Sequence, residues 1–329
     1  MRHLACRCGQ TVYFENHRCA ACGRKLAFDP ASLSMASESE PGARLLFCPN
    51  REGDSRCNWL GGMGAAAGVC LSCRSSDIIP ALSKPENRDR WRKLEQAKRR
   101  LIYDLLSLGL PVDASRLRFV FKEDQRTNPD VHEEHVNIGH SRGVITINAA
   151  EADDVYREQM RQHMNEPYRT LLGHFRHEAG HYYFDLIVDD DLRPEARRLF
   201  GDESVGYDEA LQRHYRDGPQ PEWQQHWITG YASAHPAEDW AETFAHWLHI
   251  RSALETAGDN GLMRVADIDD WQADFIDLAV KVNDVMRSLG LGDAYPFVIT
   301  ATVAEKIDFV RRAIRRFTGR PGAPFSAAG

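Results

Sequence analysis

The sequence predicts an α+β protein in which a small cysteine-rich module precedes a short sheet and a mostly helical C-terminal half. Three observations support this fold class. All eight cysteines of the 329-residue chain lie within its first 73 positions. Two runs with the composition of β-strands, 117–121 (LRFVF) and 143–148 (GVITIN), follow in the middle of the chain. Beyond these runs the apolar residues recur mainly at helical spacing.

The cysteines fall into two groups of four, which are Cys6, Cys8, Cys19 and Cys22, and then Cys48, Cys57, Cys70 and Cys73. Four thiolates are enough for one tetrahedral structural zinc ion, so we predict two such ions in a double zinc-ribbon module over residues 1–76. Disulfides are the alternative. The opening stretch MRHLACRCGQ has no apolar signal segment, however, and paired cysteines in a reducing compartment favour metal. Gly23 suits the turn of the first site, whereas the second Cys-x-x-Cys pair lacks such a glycine.

The rest of the N-terminal half is expected to contain loops, one linker and one long helix. Segments 30–44 and 61–68 are low in complexity and are predicted to be loops. A linker over 77–90 leads to a helix near 88–108. We expect the strand 143–148 to lie at the edge of the sheet, where an extended segment of another molecule can pair with it.

The strongest functional signal is the stretch HFRHEAGHYYFD, in which His177, Glu178 and His181 form an HExxH motif. Positions four apart lie one above the other on a helix, so both imidazoles can reach one metal ion, with Glu178 beside them as a base. Asn165 and Pro167 predict the start of this helix, as its N-cap and first-turn residues. An ordinary exposed polar face is the alternative. The apolar stripe expected opposite the histidines consists of Tyr168, Leu171, Leu172, Phe175, Ala179, Tyr182 and Leu186.

Catalytic zinc takes three protein ligands and leaves one position for water, so a third ligand is needed. The later segment YASAHPAEDWAETFAHWLHI predicts a helix that begins near Pro236 and has an aromatic stripe on one face. Glu238 and Glu242 fall on the opposite face. We assign Glu238 as the third ligand and Glu242 as the carboxylate that accepts the free ring N–H of a ligating histidine. Asp185 is assigned a supporting role beside Glu242, and a solvated acidic face is the alternative.

These motifs resemble those of known metallopeptidases. HExxH followed by ExxxE on a later helix is similar to the glutamate-type zincins, of which thermolysin is a familiar member. Tyr231, seven residues before Glu238, resembles a tyrosine in the catalytic domain of anthrax lethal factor, which implies that it stabilises the transition state. Over nearly its whole length the chain resembles a bacterial family of zinc-binding metallopeptidases with an N-terminal zinc-ribbon region. The stretches CNWL, EPYRTLLGHFRHEAGHYY and HPAEDWAETFAHWLHI carry that likeness.

The resemblance implies a zincin-like metallopeptidase domain over 91–317, one catalytic zinc ion and a peptide or protein substrate. The tail 318–329 is expected to be disordered. One alternative is a non-catalytic zincin-fold scaffold recruited by the ribbons. Another is a deformylase-like hydrolase, but that family takes a cysteine as its third zinc ligand, and no cysteine remains free if the ribbons are filled.

Composition sets limits on possible partners. With 43% hydrophobic and 27% charged residues, the chain has an ordinary globular composition. Its net charge of −7 argues against non-specific DNA binding by the whole chain. No apolar run approaches the length of a membrane span, so we expect no membrane partner and a cytoplasmic location. A protein or nucleic-acid partner bound through the ribbons remains an alternative.

Overall fold

The structure is a computed structural model that describes residues 3–39, 45–62, 68–264 and 270–319. The chain divides into two compact units, Met1–Phe175 and Arg176–Gly329. The division falls within a helix that carries the HExxH motif. No helix among the described residues is both long enough and apolar enough to cross a bilayer.

The first unit opens with two small antiparallel hairpins and two short helical segments. These elements are β1 (Leu4–Ala5) with β2 (Thr11–Val12), β3 (Leu26–Asp29) with β4 (Ser34–Ser37), a 3-10 turn at Pro49–Arg51, and α1 (Leu71–Arg74). Strand β4 corrects part of the loop predicted at 30–44, because Met35 is buried and pairs with Phe28 across the hairpin. The remainder of that predicted loop at 40–44, and most of the second one at 63–67, lie outside the described residues.

An aromatic cluster forms the core of this cysteine-rich region. The ring of Phe28 lies 4.8 Å from that of Phe14 and 5.0 Å from that of Trp59, measured between centroids. Tyr103, on the long helix α2 (Pro85–Ser107), completes the cluster at 5.8 Å from Phe28 and is buried. The cysteine-rich region and α2 therefore share one hydrophobic core.

A four-stranded sheet follows in the order β5-β6-β8-β7. Its strands are β5 (Ser76–Ile78), β6 (Arg118–Lys122), β7 (Gly139–Ser141) and β8 (Val144–Asn148). Strand β5 lies at the boundary of the predicted linker. Strand β8 pairs with β6 in parallel and with β7 in antiparallel orientation, so the prediction that 143–148 forms the edge strand is wrong. The tight turn at Arg142 and Gly143, both with positive φ, folds β7 back onto β8 and makes β7 the edge.

The HExxH helix begins later than the sequence predicts. Helix α3 (Asp154–His163) comes first, and Asn165 follows it in a left-handed conformation, with φ of 52°. An asparagine in this conformation ends a helix more often than it begins one. Helix α4 (Leu171–Ile187) begins six residues after Asn165, and the hydroxyl of Thr170 accepts a hydrogen bond from the Gly173 N–H at 3.0 Å.

The second unit is helical in its described parts. After α4 come α5 (Arg193–Phe200), α6 (Tyr207–Asp217), α7 (Trp223–His226), a 3-10 turn at Tyr231–Ser233, α8 (Pro236–Asp259), α9 (Trp271–Ser288) and α10 (Ala301–Thr318). Trp240 of α8 lies at the centre of the core, with Phe200 and Phe309 rings 5.7 Å and 6.2 Å away. The structure thus confirms the α+β fold class. Thr318 still belongs to α10, and 320–329 of the predicted disordered tail lie outside the described residues.

Candidate metal centre

His177, His181 and Glu238 meet with spacings that suit one tetrahedral metal ion. The two Nε2 atoms are 3.1 Å apart, and Glu238 Oε2 lies 3.0 Å from His177 Nε2. Glu238 Oε1 lies 3.5 Å from His181 Nε2. Zinc–ligand bonds of roughly 2.0–2.1 Å in a regular tetrahedron require ligand atoms roughly 3.3 Å apart. The three side chains therefore have the spacing of a zinc site.

The close approach of α4 and α8 brings these ligands together. A Cβ atom on Gly180 would lie 2.9 Å from the Cα of Ala241, so only glycine fits at this crossing without displacement. Next to it, the indole N–H of Trp240 donates to the Gly180 carbonyl at 2.9 Å. Helix α8 starts with Pro236 in its first turn, and the His235 ring caps it by accepting the Ala237 N–H at 3.0 Å.

Glu242 lies behind His177, on the side away from the other ligands. The Nδ1–H of His177 donates to Glu242 Oε1 at 2.6 Å, and the Thr229 hydroxyl donates to Oε2 at 2.8 Å. Because Nδ1 bonds to Glu242, Nε2 is the ring nitrogen that faces Glu238 and His181 and is the one available to a metal ion. This is the arrangement in which a carboxylate fixes the tautomer of a metal-binding histidine.

The electrostatics of the site favour a cation. Glu238 is fully buried, and Glu178 is 5% exposed. Burial alone would lower the pKa of His177, but the neighbouring carboxylates of Glu238 and Glu242 outweigh burial and hold that pKa well above its ordinary value. Among the described residues, none donates a hydrogen bond to the buried Glu238 Oε2. A dication at this position would balance the carboxylates and give Oε2 a partner.

Tyr231 also lies at the centre. It begins the 3-10 turn before α8, and its ring centroid is 6.0 Å from that of His177. Burial, followed by the charge of Glu238, raises the pKa of the Tyr231 phenol well above its usual value. The hydroxyl therefore keeps its proton and remains a hydrogen-bond donor.

Asp185 makes no described contact with the centre, and its supporting role stays a prediction from the sequence. It is exposed and forms no hydrogen bond or ion pair with another described residue. The buried face of α4 differs from the predicted stripe, because Tyr183 and Ile187 are buried while Tyr182 and Leu186 are only half-buried.

Tyr207 is a residue of the site that sequence reasoning missed. Its hydroxyl donates to Glu238 Oε1 at 2.5 Å from the first position of α6. Burial, together with the charge of Glu238, raises the pKa of this phenol, which stays protonated. Tyr207 and Glu238 are 31 positions apart, the chain between them contains several short elements joined by loops, and no spacing rule connects two residues across such a path.

Both groups of cysteines come together as predicted. Each supplies four sulfur atoms that could hold one metal ion, and all eight cysteines are free thiols. Cys6 Sγ lies 3.7 Å from Cys22 Sγ, and Cys57 Sγ lies 3.5 Å from Cys70 Sγ. Zinc–sulfur bonds of about 2.3 Å require a spacing of roughly 3.8 Å, whereas a disulfide requires about 2.05 Å. The geometry therefore favours two zinc–thiolate sites over disulfides.

The turns of these two sites differ. Gly23 follows Cys22 with φ of 72°, a conformation that glycine adopts without strain. In the second site Cys70 is instead the N-cap of α1, and its sulfur accepts the Cys73 N–H at 3.4 Å. The turn of the second site is therefore formed by a short helix, whereas the turn of the first site contains a glycine.

The chain has two four-cysteine clusters, followed by a cluster of two histidines and one buried carboxylate beside a glutamate. These sites define a zinc-binding protein with the ligand set of a metallopeptidase. Comparison with known proteins agrees. A family model described as "Putative zinc-binding metallo-peptidase" matches residues 87–313, and one described as "zinc-ribbon domain" matches residues 3–84. The first match covers more than half of the chain, and the chain belongs to that metallopeptidase family. The family expected from the sequence is thus confirmed.

The relatives extend over almost the same length as this chain. It is 40% identical over 332 residues to the uncharacterized proteins Mb2598c of Mycobacterium bovis and Rv2568c of Mycobacterium tuberculosis. The alignments cover 95% of this chain and 95% of each relative. No solved structure matches the chain.

Proposed function

We propose that this protein hydrolyses peptide bonds with one zinc ion bound by His177, His181 and Glu238, and with Glu178 as general base. The observation that carries the proposal is the spacing of 3.0–3.5 Å among the two histidine Nε2 atoms and the nearest carboxylate oxygen of Glu238 to each of them. A scaffold without catalytic function would have no need for a buried glutamate at the position next to the first histidine.

A zinc ion at these residues would act as a Lewis acid that lowers the pKa of a water molecule toward ~7 and polarises the substrate carbonyl. Glu178 would accept the proton that the attacking water loses, and would pass it to the nitrogen of the leaving amine as the C–N bond breaks. Tyr231 would donate its O–H to the carbonyl oxygen as negative charge develops there. Glu242 would keep His177 in the tautomer that presents Nε2.

We further propose three zinc ions per chain, one catalytic and one in each four-cysteine cluster. The ribbons would stabilise the first unit or bind a protein or nucleic-acid partner. The domain limits at residues 76, 91 and 317 and the cytoplasmic location also remain predictions from the sequence.

Replacement of Glu178 by Gln tests the proposal. The purified wild-type chain should cleave an unfolded protein or a peptide library, and a chelator should abolish cleavage. Glu178→Gln should retain all its zinc and lose about 10²–10⁴ in rate, because the general base is removed while the ligands remain. Asp185→Asn is the matched control, since it removes an exposed carboxylate from the same helix. Activity in Glu178→Gln close to wild type would refute the assignment, and zinc binding without any turnover in the wild type would favour a scaffold.

A further inference from the structure

The two carboxylate oxygens of Glu238 have different surroundings. Oε1 accepts the hydroxyl hydrogen of Tyr207 at 2.5 Å. Oε2 lies 3.0 Å from His177 Nε2, is buried, and receives no hydrogen bond from any described residue. One oxygen is therefore occupied by a donor, and the other is directed at the ligand cluster.

This difference matters because both oxygens lie near a ligand nitrogen. Oε1 is 3.5 Å from His181 Nε2, only slightly farther than Oε2 is from His177 Nε2. A carboxylate in this orientation could bind a cation through one oxygen or through both. A hydrogen bond to an anionic oxygen uses a lone pair and withdraws charge from it, which makes that oxygen the weaker metal ligand.

We propose that Tyr207 is a positioning residue that holds Glu238 as a ligand through one oxygen and so keeps a coordination position open for water. The inference rests on the zinc site of the proposed function. Catalytic zinc needs three protein ligand atoms and one open position. A second oxygen from Glu238 would fill that position.

Tyr207 is held in place at two points, its hydroxyl and its ring. Its ring lies 5.0 Å from that of His235, edge to face. The His235 ring accepts the Ala237 N–H through Nδ1, which leaves Nε2–H to donate to the Val205 carbonyl at 3.1 Å. Two hydrogen bonds, from His235 to Val205 and from Tyr207 to Glu238, therefore join the start of α6 to the start of α8.

Little else in α6 requires a tyrosine at this position. Ala210 is the only buried residue of the helix, all of which the structure describes, and Tyr207 itself is 41% exposed. Replacement by Phe would keep the ring and remove only the hydroxyl, so it should leave packing nearly unchanged. The main effect of Tyr207→Phe should therefore appear at Glu238.

The test compares Tyr207→Phe with Tyr215→Phe in the full-length chain. Tyr215 lies on the same helix, is 60% exposed, and its hydroxyl bonds to no described residue. The catalytic zinc alone is exchanged for Co²⁺, and two retained zinc ions per chain verify that the ribbons are intact. The electronic spectrum of Co²⁺ reports its coordination number, and chelator competition gives the zinc affinity.

We expect Tyr207→Phe to change the Co²⁺ spectrum from four-coordinate toward five-coordinate and to alter zinc affinity by about 10–100-fold, the usual effect of losing a group behind a ligand. The rise in Tm on zinc binding should also change, because a ligand that binds only the folded state stabilises it according to its affinity. Tyr215→Phe should match the wild type in all three measurements.

The outcomes separate this inference from the proposed function. A Tyr207→Phe chain with wild-type spectrum and affinity would overturn the positioning role, as would an equal loss of Tm with and without metal. A changed spectrum in a protein without peptidase activity would support the positioning role and refute the peptidase. A wild-type chain that binds only the two ribbon zinc ions would overturn both.

Discussion

Glu238 and Glu242 are chemically identical residues four positions apart on α8, yet their surroundings differ. Glu238 is fully buried and contacts the Nε2 atoms of both histidines. Glu242 is 18% exposed at its side chain and reaches only the Nδ1 side of His177. One glutamate therefore lies inside the ligand cluster and the other behind it.

We expect mutations of the two glutamates to have different effects on metal binding. Glu238→Ala should abolish catalytic zinc binding, because it removes a ligand. Glu242→Ala should reduce metal affinity or activity by about 10–100-fold. Zinc content and chelator competition measure both effects. A larger loss of metal in Glu242→Ala than in Glu238→Ala would exchange the two roles.

Tyr231→Phe should affect the transition state and leave the resting metal unchanged. The phenol would donate to an oxygen that is charged only during attack, so kcat and kcat/KM should fall together, by roughly 10²–10³, with little change in KM. Zinc content and Tm should remain at wild-type values and serve as the internal control. Unchanged kinetics would remove Tyr231 from the mechanism.

The sequence predicts which residues of one helix lie together far better than it predicts contacts between residues of different helices. His177, Glu178 and His181 follow from one helical repeat, and Glu238 with Glu242 from another. Tyr207 does not, because its contact with Glu238 depends on the path of the chain between α4 and α8.

At the scale of elements, the metal centre depends on how closely two helices approach. Gly180 lies within the HExxH motif, between the base and the second histidine, and faces Ala241 between the two glutamates of α8. The ordinary distance between helix axes is about 8–10 Å and is set by the side chains at the contact. A glycine at the crossing shortens this distance, and the carboxylates of α8 then reach the histidines of α4.

Gly180→Ala should therefore impair both stability and metal binding. The added methyl group would lie 2.9 Å from a backbone atom of Ala241, so one helix must shift. Overpacking of this kind costs about 1–3 kcal/mol. Denaturant unfolding and catalytic zinc affinity are the measurements. Gly292→Ala, where no atom lies within 4 Å of the new methyl, is the matched control. Full zinc affinity in Gly180→Ala would show that the helices can separate without disturbing the ligands.

The sequence predicts the helices and strands themselves better than it predicts their limits and their places in the fold. Asn165 and Pro167 have the composition of a helix start, but Asn165 adopts the left-handed conformation that ends α3. The run at 143–148 has the composition of a β-strand, but this composition does not distinguish an edge strand from an internal one. Its internal position depends on the parallel pairing with β6, in which Arg118 lies opposite Val144, far along the chain. Local composition does not determine such pairings.

At the scale of the whole molecule, three separate metal sites are expected to contribute to the folded state. Two are sets of four thiolates, each drawn from separate segments of the chain, and the third is the centre between α4 and α8. Ligands that lie apart in sequence meet only in the folded chain, so metal binding and folding should be linked.

Zinc analysis of the intact chain should give three ions. Cys22→Ser and Cys73→Ser should each lower the content by one and lower the Tm, because a structural zinc ion contributes directly to folding. Peptidase activity should persist in Cys22→Ser, whose site is the more exposed one. If the wild type binds only two ions and one of the two variants loses none, the cluster altered in that variant does not bind zinc.

The shared core of the cysteine-rich region and α2 has a consequence for how this gene could be rearranged. The two family matches meet between residues 84 and 87, which suggests two modules that recombination could exchange. A cut at this point would leave Phe14, Phe28 and Trp59 on one side and Tyr103 on the other. Each fragment would then expose apolar surface that the intact chain buries. The two segments should therefore be inherited together, and neither should replace a counterpart in an unrelated protein without a compensating change in its core.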